Sequence, residues 1–213
     1  MIIAIDGPAG VGKSSVSKFI SEKTGMFYLN SGNFYRAVTY AVLNSSADPE
    51  NQEDVIKTAE SCCFSIKKGC LYLNGKNVEE FLHTDSIDEF VAQHSAIIAV
   101  RKIVNKNLRS IGRNMDIIVE GRDITTVVFP DAEVKFYLDA NVSKRAERRH
   151  KQGISNLSLK EHIEKIQFRD RIDTTKPFGS LKLIDDAVYI DTSDLTIEQV
   201  CEKVLQKIQE AKN

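Results

Sequence analysis

The sequence predicts an α/β fold, a mostly parallel sheet covered by helices on both faces. Three observations carry this. Short apolar runs alternate with longer stretches of helical periodicity along most of the chain. The clearest of those runs, Ile117-Ile118-Val119 and Met1 to Ile5, lack the polar alternation of a half-exposed strand, as parallel strands buried on both faces require. Finally, Gly7 to Ser14 reads G-P-A-G-V-G-K-S between the first apolar run and the first helical stretch.

The elements follow in order. Met1 to Ile5 reads as a buried strand, and Val11 to Lys23 has helical spacing with Val16, Phe19 and Ile20 on one face. Met26 to Leu29 is a short strand, and Asn33 to Leu43 a helix. Pro49 lies just inside a further helix start, with Asp48 as its cap. From Cys63 to Val78 the pattern changes: Phe64-Ser65-Ile66 and Leu71-Tyr72-Leu73 flank the turn residues Lys68-Gly69 and Asn74-Gly75, which is hairpin patterning. Asp85 to Arg113 is one or two helices, and Ile117-Ile118-Val119 a strand that runs into Glu120-Gly121-Arg122-Asp123. Val134 to Leu138 is another strand, Val142 to Gln152 a basic helix, and Leu159 to Arg171 a helix. Val188 to Ile190 is the last strand, and Ile197 to Ile208 the closing helix.

The segment Gly7–Ser14 matches the phosphate-binding pattern G-x-x-x-x-G-K-[ST], and its strand–loop–helix setting is the one that chemistry needs. Glycines let backbone N–H groups close on a phosphate with no Cβ in the way, and the helix N-terminus adds partial positive charge. The reading is a P-loop NTPase fold with Gly7, Pro8, Ala9, Gly10, Val11, Gly12, Lys13, Ser14 and Ser15 around a nucleoside triphosphate. Lys13 reaches the β- and γ-phosphates, and the Ser14 hydroxyl holds Mg²⁺ carried in with ATP.

Composition narrows the rest. The chain of 213 residues suffices for one α/β domain with a sizeable core. A formal net charge of -1 gives no global basic field for nucleic acid. Cys62, Cys63, Cys70 and Cys201 form no C-x-x-C and have no histidine at zinc-ligand spacing, so reduced thiols are expected. No apolar stretch reaches membrane-span length and no signal peptide precedes the first strand. The expectation is a cytoplasmic monomer acting on small molecules, with neither nucleic acid nor membrane as partner.

A regulatory GTPase would carry D-x-x-G and N-K-x-D; the nearest match to the second, Asn105-Lys106-Asn107-Leu108, fails at the aspartate. What the chain has instead is arginine near strand ends and on helices: Arg36, Arg122, Arg145, Arg148, Arg149, Arg169 and Arg171. Ligands of open α/β sheets sit at the carboxyl ends of strands, and phosphoryl transfer between two nucleotides gathers negative charge that guanidinium forks neutralise.

The order of motifs resembles the bacterial cytidylate kinase family from Ile3 to about Leu205. The matching stretches are I-A-I-D-G-P-A-G-V-G-K-S from Ile3, Y-L-N-S-G-N-F-Y-R-A-V from Tyr28, Val100-Arg101, and E-G-R-D-I-T-T-V-V-F-P-D-A-E-V-K from Glu120. They continue with R-A-E-R-R-H-K-Q from Arg145, R-D-R-I-D from Arg169, D-A-V-Y-I-D-T from Asp186 and L-T-I-E-Q-V from Leu195. The resemblance implies one kinase domain over 1–213. It carries a hairpin-containing insertion in the monophosphate-binding region at about 62–90 and a short lid at about 149–158.

It also implies residue roles. Ser31, Tyr35 and Arg36 line the monophosphate site, where Arg36 and Arg122 bind the CMP phosphate. Arg101 and Asp123 read the cytosine edge. Arg169 and Asp173 meet phosphate and ribose, and Arg148 lies with the ATP-side residues where the basic helix leads into the lid. Lys13, Arg122 and Arg169 are the expected catalytic groups, and Glu120 stands either as a magnesium-side carboxylate or in an ion pair. The implied reaction moves the γ-phosphate of MgATP to CMP, and to dCMP. Broader acceptor use including UMP, a small non-nucleotide hydroxyl acceptor, and a nucleotide-binding regulator without turnover are the alternatives. The chain departs from the family pattern at Asn30, where Asp or a similar residue is usual, and at Thr125, where glycine is usual. It has Ala92 where the family places a serine nine residues before Arg101, and Lys176 where it has arginine.

Overall fold

A computed structural model describes residues 1–67, 69–113, 115–151, 153 and 157–212. In chain order the elements are β1 (Ile2–Asp6), α1 (Lys13–Thr24), β2 (Phe27–Asn30), α2 (Ser31–Leu43), α3 (Gln52–Glu60), β3 (Phe64–Lys67), β4 (Cys70–Leu73) and β5 (Lys76–Asn77). They continue as α4 (Asp85–His94), α5 (Ile98–Gly112), β6 (Ile117–Gly121), β7 (Val134–Asp139), α6 (Val142–Lys151), α7 (Leu159–Thr175), β8 (Val188–Asp191) and α8 (Ile197–Lys212). The chain divides into two compact units, one of Met1–Leu29 with Asn114–Asn213, the other of Asn30–Arg113.

Among the described residues the first unit is built on a five-stranded sheet in the order β2-β6-β1-β7-β8. β1 is parallel to both β6 and β7, and β7 is parallel to β8. The central strands are buried along their length because they are apolar on both faces. One face carries the core: Ile3, Ile5, Ile118, Phe136 and Leu138 of the strands meet Val16 and Ile20 of α1 and Val200, Val204 and Ile208 of α8. Those helical residues recur at four-residue spacing, which keeps them on one side of each helix. α1 starts at Lys13, two residues after the expected Val11, because Gly12 takes a left-handed conformation at its N-cap. It ends at Gly25, also left-handed, whose N–H donates to the Ser21 carbonyl at 2.9 Å. α7 begins with a capping box: the Ser158 hydroxyl accepts from Glu161 N, and Ser158 N donates to the Glu161 carboxylate at 2.7 Å. It runs past the expected Arg171 to Thr175, which puts Asp173 on its last turn.

The second unit is helical with a small antiparallel sheet, three-stranded among the described residues and ordered β3-β4-β5. Leu71 and Leu73 of β4 are buried, and Phe64 of β3 meets Phe34 of α2 with ring centroids 5.2 Å apart. The Asn30 side chain caps α2 by accepting from Asn33 N at 3.3 Å, so the amide serves where a carboxylate would also serve. The expected helix start at Pro49 is not where α3 begins. Asn51 is the cap, accepting from Glu53 N and Asp54 N, while Asp48 accepts from Glu50 N in the preceding turn. Asn outcompetes the earlier Asp because only it sits two and three residues ahead of free amides aligned for a helix. The 85–113 stretch resolves into two helices, α4 and α5, and the His94 ring ties α4 to the unit through Thr39 Oγ1 at 3.0 Å and the Pro49 carbonyl at 2.9 Å. Among the described residues no helix is long and apolar enough to cross a membrane, and the four cysteines are free thiols.

Candidate active site

In the first unit, the loop between β1 and α1 is held by close packing. A Cβ on Gly7 would lie 2.1 Å from the Leu138 carbonyl oxygen of β7, so only glycine lets the loop leave the sheet there. Gly12, at φ 96, supplies the left-handed turn into α1. Lys13 is the first residue of that helix and is buried; its Nζ donates to the Gly7 carbonyl at 2.8 Å and the Pro8 carbonyl at 2.7 Å. Burial, reinforced by the Arg122 charge, lowers the Lys13 pKa to about 7, against the opposing pull of Glu120, Asp6 and Asp173. Ser14 and Ser15 are exposed on the first turn.

Two arginines of α6 buttress this loop. Arg145 Nε donates to the Ala140 carbonyl at 2.9 Å and Nη1 to the Ala9 carbonyl at 3.1 Å, while Nη1 pairs with Asp170 at 2.7 Å. Arg148 Nη1 donates to Thr192 Oγ1 at 3.0 Å and Nη2 to the Thr192 carbonyl, and Thr192 Oγ1 in turn donates to the Val11 carbonyl at 3.2 Å. Arg148 thus reaches the loop through Thr192, a residue the sequence reading did not single out. Its position just past the last strand was the available signal. Arg145 takes a buried structural place against Ala9. Arg149 and Arg171 are exposed. The lid expected over 149–158 contains residues 152 and 154–156, which lie outside the described residues.

A second constellation in the same unit centres on Asp173. Arg122 Nε donates to its Oδ2 at 2.7 Å, Arg169 Nε lies 3.9 Å from the same oxygen, and Lys176 Nζ donates to Oδ1 at 3.3 Å. Burial alone would raise this carboxyl; Arg122, Lys176 and Arg169 overcome it and hold the group well below the ordinary carboxylate range. The Arg122 pKa is raised above its usual value by Asp173, with Glu120 and Asp170 adding to it, despite desolvation. Lys176, the departure from an arginine pattern, is therefore seated on the same carboxylate as Arg122 and Arg169. Glu120 of β6 is buried and accepts a short hydrogen bond from the Tyr28 hydroxyl. Asp123 is buried next to Arg122.

The second unit holds the other expected acceptor residues. Arg36 of α2 is nearly buried; Nη2 pairs with Asp88 of α4 and Nη1 donates to the Leu82 carbonyl at 2.8 Å. Arg101 of α5 lies over the Tyr35 ring, its guanidinium carbon 5.1 Å from the centroid, and Nη1 donates to the Ser95 carbonyl at 2.7 Å. The Tyr35 hydroxyl donates to Asn105 Oδ1 at 3.2 Å. Ser31 is buried at the start of α2. Ala92 is buried in α4, and the neighbouring Ser95 hydroxyl is spent on the Ala92 carbonyl at 2.9 Å, while Gln93 faces solvent. So Tyr35 and Arg101 come together, and Arg36 takes a separate partner.

The oxygen donors near the loop suit a divalent metal that arrives with its nucleotide. The Ser14 hydroxyl is open on the first turn of α1, and the Glu120 carboxylate interacts with Lys13 beside it. Hydroxyl and carboxylate oxygens are the hard ligands Mg²⁺ takes alongside water and phosphate. Among the described residues no three His, Cys, Asp or Glu side chains gather as an all-protein cage.

Comparison with known proteins follows this geometry. A family described as cytidylate kinase matches residues 3–210. A cytidylate kinase of Clostridioides difficile (strain 630) is 39% identical over 211 residues, covering 98% of each chain. One from Borrelia turicatae (strain 91E135) is 41% identical over 211 residues, covering 97% of this chain and 95% of that one. Among solved structures, a shikimate kinase from Bacteroides thetaiotaomicron superposes over 98% of both chains with a TM-score of 0.53 at 10% identity, a likeness of fold alone.

Proposed function

The chain belongs to the cytidylate kinase family, and we propose that it transfers the γ-phosphate of ATP to CMP, and to dCMP, giving the diphosphate and ADP. The observation that carries this reading is the set of cations on Asp173: Arg122, Arg169 and Lys176 outnumber the one carboxylate they share, in the same unit as the phosphate-binding loop. Such an arrangement suits an anion that brings its own negative charge.

The attacking atom is an oxygen of the CMP phosphate, already anionic near neutral pH, so no side chain is needed to remove a proton. Catalysis falls to positioning and charge neutralisation. Lys13 exchanges its bonds to the Gly7 and Pro8 carbonyls for phosphate oxygens and, in contact with that charge, is held protonated. Backbone amides of Gly10 to Ser15 cradle the donor phosphates. Ser14 holds Mg²⁺, which, when bound, neutralises charge on the β- and γ-oxygens. Arg148 lines the ATP side, anchored by Thr192. Arg122 and Arg169 take phosphate oxygens of the acceptor while Asp173 fixes their orientation and meets its ribose. Arg36 holds the CMP phosphate, Ser31 and Tyr35 line its site, and Arg101 and Asp123 read the cytosine edge. A coupled assay of ADP release across CMP, dCMP, UMP and shikimate tests the reading. CMP- and dCMP-dependent release is expected; release without an acceptor preference, or only with shikimate, would overturn it.

A further inference from the structure

The Asp6 carboxylate is wholly buried at the end of β1, directly before Gly7. In register it lies between Gly121 of β6 and Tyr137 of β7. Its oxygens are bonded to a short helical turn at Ile124–Val128 that follows Arg122 and Asp123. Oδ1 accepts from Ile124 N at 3.0 Å; Oδ2 accepts from Thr125 N at 2.8 Å and from the Thr125 hydroxyl at 2.7 Å. The turn is wide, with Val128 N donating to the Asp123 carbonyl at 3.1 Å and Phe129 N to the Ile124 carbonyl at 2.8 Å. A carboxylate from a neighbouring strand is therefore the cap for its open amides. Thr125 is itself buried, so its hydroxyl is not in contact with bulk solvent.

We infer that Thr125 is a positioning residue for phosphoryl transfer: its hydroxyl completes the hydrogen-bond shell of Asp6 and so fixes the segment that presents Arg122 and Asp123. This rests on the acceptor-side reading of those two residues given above. Two amides alone leave Oδ2 with a single donor in a dry site, where an ionised carboxylate needs every donor it can find. Burial drives the Asp6 carboxyl toward its neutral form, and the three donors oppose that drive. A protonated Asp6 would turn an O–H toward amide donors and loosen the cap. The titratable and charged groups that face Asp6 are Asp123 beside the turn, Lys13 of α1 and Tyr137 of β7. Asp123 adds to the upward push of burial, and the Thr125 hydroxyl opposes it together with the Thr125 and Ile124 amides.

The test compares Thr125→Val, which keeps shape and loses the hydroxyl, with Thr125→Ser, which keeps the hydroxyl. The Asp6 carboxyl carbon, assigned by its absence in Asp6→Asn, is titrated by NMR, and kcat and KM are measured for both substrates. In Thr125→Val the Asp6 titration should move up by about one to two pH units, the equivalent of one charge-assisted hydrogen bond. Its kcat with CMP should fall roughly tenfold while KM for ATP changes by less than about twofold. Thr125→Ser should restore both values, and Thr125→Ala should repeat the valine result if the valine protein does not fold. An unmoved Asp6 titration, an unchanged kcat in a folded hydroxyl-free variant, or a serine variant that fails to recover would overturn the inference, whatever happens to the melting temperature. Arg122→Ala run in parallel separates the two readings: retained CMP use there would remove Arg122 from the acceptor site, and a valine variant that still shifts Asp6 and lowers kcat would continue to support Thr125.

Discussion

The two compact units treat their arginines differently. In the first, Arg122 and Arg169 gather with Lys176 on one carboxylate, Asp173. In the second, Arg36 pairs with Asp88 and donates to the Leu82 carbonyl, and Arg101 leans on a carbonyl and an aromatic ring. A shared carboxylate fixes several cations in one place. The Arg36–Asp88 pair sets one guanidinium against one carboxylate. The first unit thus holds several cations together before any substrate binds, whereas under the proposed reading Arg36 divides its donors between Asp88 and a phosphate. Preorganised charge in a dry site is what stabilises a transferring phosphoryl group; a paired cation is better placed to select a ligand than to accelerate its reaction.

The largest break in that comparison should come from Lys13→Ala. It removes the buried cation of the loop and is expected to lower kcat by at least about 10³-fold with the far-ultraviolet circular dichroism and melting profile of the natural protein retained. A folded Lys13→Ala protein with full turnover would take the phosphate-binding role away from this loop.

Next come the two arginines proposed for the acceptor side, compared directly. Arg122→Ala strips a preorganised charge and leaves Asp173 with less compensation, so kcat/KM for CMP should fall by about 10²-fold or more. Arg36→Ala removes a cation already half-used by Asp88, and roughly tenfold is expected, mostly in KM for CMP. Neither should alter ATP affinity, measured by calorimetry without CMP, by more than about threefold. Equal losses from both variants would erase the distinction between the Asp173 cluster and the Arg36–Asp88 pair, and a loss of ATP affinity would move the arginine concerned to the donor side.

How much of this was legible in the chain differs between the units for a physical reason. The phosphate loop is a contiguous solution: strand, glycines, lysine and helix start lie within one short stretch, so the spacing of Gly7, Gly12 and Lys13 already encodes the geometry. The Asp173 cluster is assembled from β6 and α7, which meet only after folding, and spacing alone could place Arg122 and Arg169 no better than near strand or helix ends. The contacts of Thr192 and Arg145, to Val11 and Ala9, are not legible in the spacing because they join segments more than a hundred residues apart in sequence. The misplaced start of α3 has a local cause: Asp48 and Asn51 are both good caps, and it is Asn51 that accepts from the first free amides of the helix while Asp48 closes the preceding turn. The resemblance to cytidylate kinases, by contrast, was readable from end to end, because it rests on motif order rather than on any single distance.

The Lys13 environment sharpens the comparison through pH. Its pKa is depressed to about 7, so in the ligand-free protein the lysine loses its proton far more readily than an ordinary lysine, and a triphosphate that needs the charged form is expected to draw a proton in at alkaline pH. Calorimetry of ATP binding in two buffers of different ionisation enthalpy should show uptake approaching one proton at pH 8 and little at pH 6. The dissociation constant for ATP should correspondingly rise by nearly tenfold per pH unit above about pH 8. The sign for stability follows from the same displacement. The folded value, about 7, lies below the ordinary 10.5, so the unfolded chain binds more protons between them and the ligand-free protein gains stability as pH rises through that window. Proton release, or none, on binding ATP at pH 8 would show that Lys13 is already charged in its cage of carbonyls.

The smallest expected effect lies at Ala92. The resemblance to the cytidylate kinase pattern implies a serine at this place that would help to hold the cytosine edge, and alanine makes no such bond. The nearest substitutes do not fill the gap: the Ser95 hydroxyl is bonded to the Ala92 carbonyl, and Gln93 faces solvent. Ala92 is buried in α4, the helix that also holds Asp88 against Arg36, so a hydroxyl introduced there enters a largely dry site where it needs a partner. A net hydrogen bond is worth about 0.5–1.5 kcal/mol, so Ala92→Ser should improve kcat/KM for CMP and dCMP by roughly two- to tenfold. UMP should gain less, because the carboxylate proposed to read the base, Asp123, only accepts hydrogen bonds: it takes the amine of cytosine and meets the carbonyl of uracil unfavourably. The natural chain should still prefer CMP and dCMP over UMP, by a narrower margin than its serine variant. Measuring kcat/KM for the three acceptors on both proteins decides the matter. UMP used as well as CMP by the natural chain would remove Asp123 from base recognition, and a serine variant that leaves all three values unchanged would show that α4 does not present this position to the base.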